Sequence, residues 1–184
     1  KLQLSLMKDD NAKRELAHDI NEMTAMLNSY VSFVREGVPE TIENINLKKL
    51  IQNICLSNID KSHEINNSCN EDIKTSGRPL QIKRAIQNII DNSKRYSSKI
   101  NIEMEVIHEE CLISIADNGP GIPEKNYEDV FKPFFTLDPS RNQLKGESGL
   151  GMTIARDIIR SHGGEIKLTK SMIGGLKTVI NLPL

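Results

Sequence analysis

Two glycine-containing segments and a preceding pair of asparagines are the residues of this sequence best suited to chemistry. The segments are Asp-Asn-Gly-Pro-Gly at 117–121 and Ser-Gly-Leu-Gly at 148–151, and the asparagines are Asn88 and Asn92. Glycine lacks a Cβ, so its backbone can adopt positive φ and bring N–H groups against phosphate oxygens. The sequence has neither a lysine-bearing phosphate loop nor a strand-borne G-x-G-x-x-G. We therefore expect a nucleotide pocket of another architecture, formed by these three segments.

The asparagine pair suits a phosphate-bound cation. Asn88 and Asn92 are four residues apart, so on a helix both amides project from one face. An amide oxygen can ligate a hard cation such as Mg²⁺. Arg95 continues the same face, where its guanidinium could contact phosphate oxygens, and Tyr96 is expected to pack beside the pocket. Two exposed polar helix residues would have the same spacing, so both interpretations stay open at this point.

Asp117 is placed to recognise a base. It follows the apolar segment 111–116 and precedes a glycine turn, so a strand would aim its carboxylate into a space lined by loops. An ionised carboxylate only accepts hydrogen bonds, which suits the exocyclic amine of adenine and disfavours the oxygen of guanine. Asp-Asn-Gly is also a common turn signal, and that alternative remains.

The segment between Phe131 and Gly149 is predicted to be a mobile lid. It contains two prolines, a glycine and many polar residues, and Phe134 and Phe135 follow Phe131 as aromatic anchors. Lys145 could bring positive charge to the terminal phosphate when the lid closes. The alternative is a surface loop whose phenylalanines complete the core. After this segment, residues 149–151 open a helix near 152, which would place free backbone N–H groups beside the lid.

The N-terminal part of the chain is predicted to be helical. Apolar residues recur at steps of three and four, which indicates a helix over about 12–36 packed in a bundle: Leu16, Ile20, Met23, Leu27, Tyr30 and Val34. Residues 1–7 resemble the last turns of an earlier helix. A hairpin of two helices exposes much of its apolar seam, so we expect it to dimerise into a four-helix bundle. We predict that this helical domain spans residues 1–38 and that a second domain spans residues 39–184.

The second domain is predicted to be an α/β sandwich. Helical spacing occurs around 47–54, over 79–95 and over 152–162. Alternating apolar residues predict one antiparallel hairpin from 100–107 and 112–116, and a second from 165–169 and 177–182.

Composition narrows the classes of function. The chain has 184 residues, a formal net charge of −1 and no tryptophan, which argues against a nucleic-acid-binding protein. No apolar run approaches the roughly 20 residues that cross a bilayer, so we expect no direct membrane contact by this chain. The cysteines are Cys55, Cys69 and Cys111, and their odd number and wide spacing predict reduced thiols in a cytosolic protein.

Taken in order, four motifs resemble the N, G1, F and G2 boxes of sensor histidine kinases of two-component systems. They are Asn-Ile-Ile-Asp-Asn-Ser-Lys-Arg-Tyr at 88–96, Asp-Asn-Gly-Pro-Gly-Ile-Pro at 117–123, Val-Phe-Lys-Pro-Phe-Phe at 130–135 and Ser-Gly-Leu-Gly at 148–151. Gln-Ile-Lys-Arg-Ala-Ile at 81–86 is most similar to the EnvZ-like osmosensor branch. The resemblance implies an α+β protein with the GHKL (Bergerat) ATPase sandwich, preceded by part of the dimerisation and phosphoacceptor hairpin.

The same resemblance implies the site and its chemistry. Mg²⁺ would be held through ATP at Asn88 and Asn92, and Arg95 and Lys145 would join them in catalysis. The implied nucleotide contacts are Asn88, Asn92, Arg95, Tyr96, Asp117, Gly119, Gly121, Ile122, Phe135, Lys145, Ser148, Gly149, Leu150 and Gly151. The family transfers the γ-phosphoryl group of ATP to a histidine and then to an aspartate of a response regulator, here OmpR-like. It implies a homodimer, and a cytoplasmic region of a parent protein in the bacterial inner membrane.

Two departures from the family pattern bear on activity. Glu147 stands where the family's G-x-G-x-G begins, and its carboxylate would repel phosphate. His-Asp-Ile at 18–20 begins like the phosphoacceptor motif but lacks its proline and lies on the second helix, so we expect the acceptor histidine upstream of Lys1. The alternatives are a non-catalytic regulatory module that keeps the GHKL fold, which Glu147 favours, and another GHKL ATPase, which the helical hairpin disfavours.

Overall fold

The computed structural model of the chain describes residues 40–59, 62–137 and 149–184. The larger of its two compact units consists of Glu40–Lys132 and Gly151–Leu184, and the described residues of the smaller unit are 133–137, 149 and 150. The predicted hairpin over 1–38, with His18, lies outside the described residues, as do Lys145, Glu147 and Ser148.

The larger unit contains three helices and seven strands among its described residues. In chain order they are β1 (Glu43–Asn46), α1 (Leu47–Ser57), β2 (Glu64–Asn67), β3 (Lys74–Gly77), α2 (Pro79–Tyr96), β4 (Lys99–Ile107), β5 (Glu110–Asp117), α3 (Gly151–Ser161), β6 (Glu165–Lys170) and β7 (Leu176–Pro183). Two short 3₁₀ turns, Glu124–Asn126 and Asp129–Phe131, lie between β5 and α3.

The strands form two sheets. Five of them make one sheet in the order β2-β4-β5-β7-β6, with β2 parallel to β4 and the other neighbours antiparallel. The remaining two, β1 and β3, form a separate antiparallel pair. A hydrogen bond of 2.6 Å from Thr75 Oγ1 to the Pro183 carbonyl joins β3 to the end of β7.

The core lies between the helices and one face of the large sheet. Alternate residues of β4 and β5 are buried, among them Ile100, Ile102, Ile113 and Ile115, because successive side chains of a strand point to opposite faces. The helices contribute isoleucines at helical spacing, and those of α2 are Ile82, Ile86, Ile89 and Ile90. This packing makes one side of α2 core and leaves the other side for polar residues.

The three helices predicted for the second domain and both predicted hairpins are confirmed, and their ends agree to within a few residues. Three short strands were missed by the sequence analysis. Glu64–Asn67 and Lys74–Gly77 contain one apolar residue between them, so they show no alternating pattern. Their pairing depends on backbone hydrogen bonds to partners that are distant in sequence.

His162 has a structural role. It follows the end of α3, where Nε2 accepts a 3.0 Å hydrogen bond from the Arg78 backbone N–H and Nδ1 lies 2.7 Å from the Ile158 carbonyl. Since a carbonyl can only accept, Nδ1 carries the proton. The ring thereby joins the end of α3 to the residue that precedes α2.

Candidate nucleotide-binding site

Asn88 and Asn92 lie on α2, the helix that runs from Pro79 to Tyr96. Pro79 occupies the first turn of this helix, where its missing N–H is not needed. Both asparagines are half-buried, whereas Ile89 and Ile90 between them are buried in the core. The apolar face of α2 therefore fixes the direction in which the two amides project.

Asn88 lies beside the first residue of α3. A Cβ built on Gly151 would be 3.9 Å from Asn88 Cβ and 4.0 Å from Asn88 Cγ, which is ordinary van der Waals contact. The Asn88 Nδ2 atom is buried and has no hydrogen-bond partner among the described residues. Leaving a buried donor unsatisfied costs about 1–3 kcal/mol, so an atom of this kind beside a helix N-terminus fits a site completed by a ligand.

Asp117 is the last residue of β5, and hydrogen bonds to one of its two carboxylate oxygens hold the side chain in place. Oδ1 accepts hydrogen bonds from the backbone N–H groups of Gly119 at 2.9 Å and Leu176 at 3.1 Å. The other oxygen, Oδ2, accepts no hydrogen bond from any described residue. The residue is only 5% exposed. A rigidly held carboxylate with one unused oxygen can accept a hydrogen bond from a ligand amine.

The glycine turn brings three parts of the chain close together. A Cβ on Gly119 would lie 2.8 Å from the Tyr96 carbonyl oxygen at the end of α2, so this close approach requires glycine. Gly121 has a φ of +70°, and a Cβ there would lie 3.4 Å from the Gly175 carbonyl oxygen in the β6–β7 connection. The half-buried Ile122 follows directly. Gly119 is thus needed for the close approach to α2, and Gly121 is favoured by its positive φ.

Arg95 and Tyr96 occupy the last turn of α2. The Arg95 Cζ atom lies 6.0 Å from the centroid of the Tyr96 ring, at the outer limit of a cation–π interaction. Tyr96 is 37% exposed as a residue. It meets the glycine turn through its main-chain carbonyl.

The F-box residue Phe131 is an anchor in the larger unit. It is 2% exposed, and the Arg156 guanidinium on α3 lies 4.3 Å from its ring centroid. Thr153 Oγ1 donates a 2.9 Å hydrogen bond to the Phe131 carbonyl, and Arg156 also pairs with Glu128 at 3.2 Å. Phe131 is part of the core, as the alternative interpretation of this segment expected, and the sequence did not identify its partners Thr153 and Arg156.

The smaller unit contains the remaining described residues of the predicted site. Gly149 has a φ of +61°, and a Cβ there would lie 2.9 Å from Phe134 Cα. Its carbonyl accepts a 3.2 Å hydrogen bond from the Phe134 N–H. Phe135 is half-buried and Leu150 is buried. Gly149 thus lies directly against the backbone of Phe134.

Sequence reasoning also missed two backbone donors at Asp117. Leu176 donates to its carboxylate, and Gly175 donates a 3.0 Å hydrogen bond to its carbonyl. The Gly174-Gly175 pair lies between the two strands of the second hairpin, and the sequence contains no signal that connects this turn to residue 117. The antiparallel pairing of β5 with β7 makes the connection.

Cys55, Cys69 and Cys111 are free in the structure. Within the described ranges, no helix is both long enough and apolar enough to cross a membrane. Among the same residues, no group of three or more His, Cys, Asp or Glu side chains is arranged to hold a metal ion.

Comparison with known proteins gives consistent matches. The profile of the family described as "Histidine kinase-, DNA gyrase B-, and HSP90-like ATPase" matches residues 77–184. Sensor histidine kinase GtrS of Pseudomonas aeruginosa is 31% identical over 186 residues, covering 100% of this chain and 38% of the relative. Sensor histidine kinase CpxA of Escherichia coli is 38% identical over 109 residues, covering 59% of this chain and 24% of the relative. The chain thus spans less than half the length of these relatives.

A solved structure agrees with these matches. The catalytic domain of histidine kinase ThkA, in a nucleotide-free form, superposes with a TM-score of 0.67 at 28% identity. The match covers 78% of this chain and 95% of that domain.

Proposed function

This chain belongs to the histidine kinase-, DNA gyrase B- and HSP90-like ATPase family, and we propose that it is the ATP-binding catalytic region of a sensor histidine kinase. The predicted α/β sandwich and the predicted family are both confirmed. The relatives are named as sensor histidine kinases, which does not favour the alternatives of a non-catalytic module or another GHKL ATPase.

The observation that carries the proposal is the buried Asn88 Nδ2 atom, which has no hydrogen-bond partner among the described residues and lies beside Gly151 at the start of α3. A triphosphate needs hydrogen-bond donors, and this corner offers a side-chain amide together with the N–H groups of a helix N-terminus. Asn92, one turn further along α2, extends the same surface. We assign the phosphates of ATP to this corner.

Adenine is assigned to the other end of the site. Asp117 Oδ2 accepts no hydrogen bond from the described residues, while Oδ1 is held by two backbone donors. The exocyclic amine of adenine would donate to Oδ2, whereas the oxygen of guanine at that edge is itself an acceptor and could not donate to it. Gly119, Gly121 and Ile122 form the adjoining wall.

The remaining predicted contacts complete the nucleotide site in this proposal. Mg²⁺ would be held through ATP by the amide oxygens of Asn88 and Asn92, and when bound it neutralises charge that develops on the phosphoryl oxygens. Arg95 and Lys145 would contribute positive charge toward the phosphates. The other proposed contacts are Tyr96, Phe135, Ser148, Gly149 and Leu150.

The proposed reaction moves the γ-phosphoryl group to a histidine nitrogen. The bond from the γ-phosphorus to the bridging oxygen of ADP breaks as the bond from phosphorus to nitrogen forms, so catalysis depends on alignment and charge stabilisation. We place the acceptor upstream of Lys1 rather than at His18. The phosphoryl group would then pass to an aspartate of an OmpR-like response regulator.

The rest of the assembly is also proposed from the family. Residues 1–38 would be the C-terminal part of the dimerisation and phosphotransfer hairpin, and 39–184 the catalytic domain. The hairpin would make a homodimer. The region would lie in the cytoplasm, attached to a parent protein of the bacterial inner membrane.

The test of the kinase assignment uses the chain extended to include its natural upstream residues. After incubation with γ-labelled ATP and Mg²⁺, we expect protein-bound phosphate that is labile to acid and stable to alkali. Asn88→Ala should reduce this label at least about tenfold, because one cation ligand and a phosphate contact are lost. Asn66→Ala is the matched control, since Asn66 is an exposed asparagine on β2.

Absence of label in an extended protein that binds ATP would contradict the kinase assignment. Label that maps to His18 would instead overturn the assignment of the acceptor to the upstream segment. Asn66→Ala should be labelled like the wild type.

A further inference from the structure

Asn118 makes four hydrogen bonds to one short stretch of chain. Its Oδ1 accepts from the backbone N–H groups of Ser98 at 3.0 Å and Lys99 at 2.9 Å, its Nδ2 lies 3.2 Å from Ser98 Oγ, and its own N–H donates to the Lys99 carbonyl at 3.2 Å. Asn118 is exposed and follows Asp117 directly. An exposed side chain with this many backbone partners acts as a connection between two segments.

The stretch that Asn118 holds is the link between α2 and β4. Ser97 caps the C-terminus of α2, where its N–H and its hydroxyl both bond to the Ser93 carbonyl, at 3.0 and 2.8 Å. Lys99 begins β4. The last turn of α2 is therefore joined to the sheet through Ser97 and Ser98. The Asn118 side chain forms hydrogen bonds with Ser98 and so fixes this link.

The same point is a place of close backbone approach. The Tyr96 carbonyl lies so near Gly119 that a Cβ would be 2.8 Å away. The ladder pair of Ile100 with Asp117 fixes β5 on β4. The position of the α2 terminus against the glycine turn depends in addition on the link that Asn118 holds.

We propose that Asn118 is a positioning residue that sets the distance between the two ends of the nucleotide site. Helix α2 carries the phosphate end of the site, and Asp117 forms the adenine end. Asn118 directly follows Asp117 and bonds to the segment that follows α2, so it connects the two ends. The inference rests on the proposed function for its effect on ATP, although the mechanical connection itself does not. Because ATP must contact both ends at once, a small displacement of α2 weakens its binding far more than that of a fragment reaching one end.

The chemistry of the side chain supplies a rescue variant. In Asn118→Leu the side chain has similar size but loses all three of its hydrogen bonds. In Asn118→Asp the carboxylate can still accept from the two backbone N–H groups, and the Ser98 hydroxyl can turn to donate to it. The aspartate should therefore preserve the link that leucine breaks.

The first measurement is amide hydrogen exchange in the absence of nucleotide. We expect exchange in the last turn of α2 and at Ser98 to be at least about threefold faster in Asn118→Leu, because the turn is held less firmly, and close to wild type in Asn118→Asp. Asn181→Leu is the control, since Asn181 bonds to Glu110 at 2.7 Å, at the opposite end of β5. Unchanged exchange in Asn118→Leu would overturn the proposal.

The second measurement compares ATP with adenosine. We expect Asn118→Leu to weaken ATP binding about tenfold and adenosine binding by less than about twofold, with ATP affinity restored in Asn118→Asp. Equal losses for the two ligands would indicate damage at Asp117 or to the fold and would overturn the positioning role. If the wild type binds neither ligand, the proposed function fails, whereas hydrogen exchange still decides whether Asn118 holds α2.

Discussion

The Asp117→Asn substitution separates base recognition from folding. Asp117 Oδ1 accepts hydrogen bonds from the N–H groups of Gly119 and Leu176, and the amide oxygen of an asparagine can accept the same two. The amide nitrogen then replaces Oδ2 and presents a donor where a base amine would also donate. We therefore expect a folded protein with a defective adenine site.

The expected magnitudes follow from these contacts. A hydrogen bond to a charged group contributes about 1.5–3 kcal/mol, and each 1.4 kcal/mol is a factor of ten, so ATP should bind roughly 10- to 150-fold more weakly. The free energy of unfolding should fall by no more than about 1 kcal/mol, because the backbone bonds are kept. GTP should lose less affinity than ATP, since the amide nitrogen can donate to the guanine oxygen.

The assay is calorimetric titration of wild type and variant with Mg²⁺–ATP and Mg²⁺–GTP, alongside thermal unfolding. Asp157→Asn is the matched control, because it makes the same chemical change at an exposed position on α3. Equal ATP affinities of wild type and Asp117→Asn would refute the adenine assignment. A variant that fails to fold would refute the claim that an amide can keep both backbone bonds.

Three further predictions concern packing, thiol reactivity and pH. Gly175→Ala should cost at least about 1–3 kcal/mol of stability and weaken ATP binding, because its Cβ would overlap Asp117 Oδ1 and lie 2.7 Å from the Asp117 carbonyl oxygen. In the folded protein at pH 8, iodoacetamide should modify the half-buried Cys55 before Cys111, since burial raises the pKa of the Cys111 thiol to about 12. The pKa of Glu165 lies below its ordinary value because the Arg160 guanidinium donates hydrogen bonds to its carboxylate. The ion pair therefore stabilises the folded protein at pH values above the pKa that Glu165 has in the unfolded chain, and this stabilisation is lost as pH falls through its lower pKa in the folded protein.

Each of these has its own control and contrary result. Gly151→Ala should leave stability unchanged, because its nearest contact is 3.9 Å away, and equal stability losses for both glycine variants would contradict the packing argument. Mass mapping after short labelling times would show the thiol order, and early modification of Cys111 would contradict it. Arg160→Met should raise the Glu165 pKa in an NMR titration, and an unchanged value would show that the hydrogen bonds do not cause the shift.

The elements with strong periodic patterns were predicted from sequence. The apolar residues of helix α2 recur at helical intervals, and those of strands β4 and β5 alternate. In each case only the matching secondary structure places these residues on one face that can be buried. The short strands β2 and β3 could not be predicted, because their polar sequences carry no such interval and their partners are supplied by the fold. The sequence motifs also identified the glycines of the turn, but they did not show why glycine is required there. At position 119 the requirement comes from the Tyr96 carbonyl oxygen of α2, which would lie too close to a Cβ and belongs to another segment of the chain.

The order and spacing of the motifs were enough to determine the family, because local sequence encodes helix faces, turns and the residue types that suit a nucleotide. Tertiary structure decided which of these residues meet. It placed the Asn88 amide beside Gly151, brought the Leu176 N–H to the Asp117 carboxylate and connected Asn118 to the end of α2. These contacts join segments that are far apart in the chain, so they depend on strand pairing and helix packing, which no local pattern specifies.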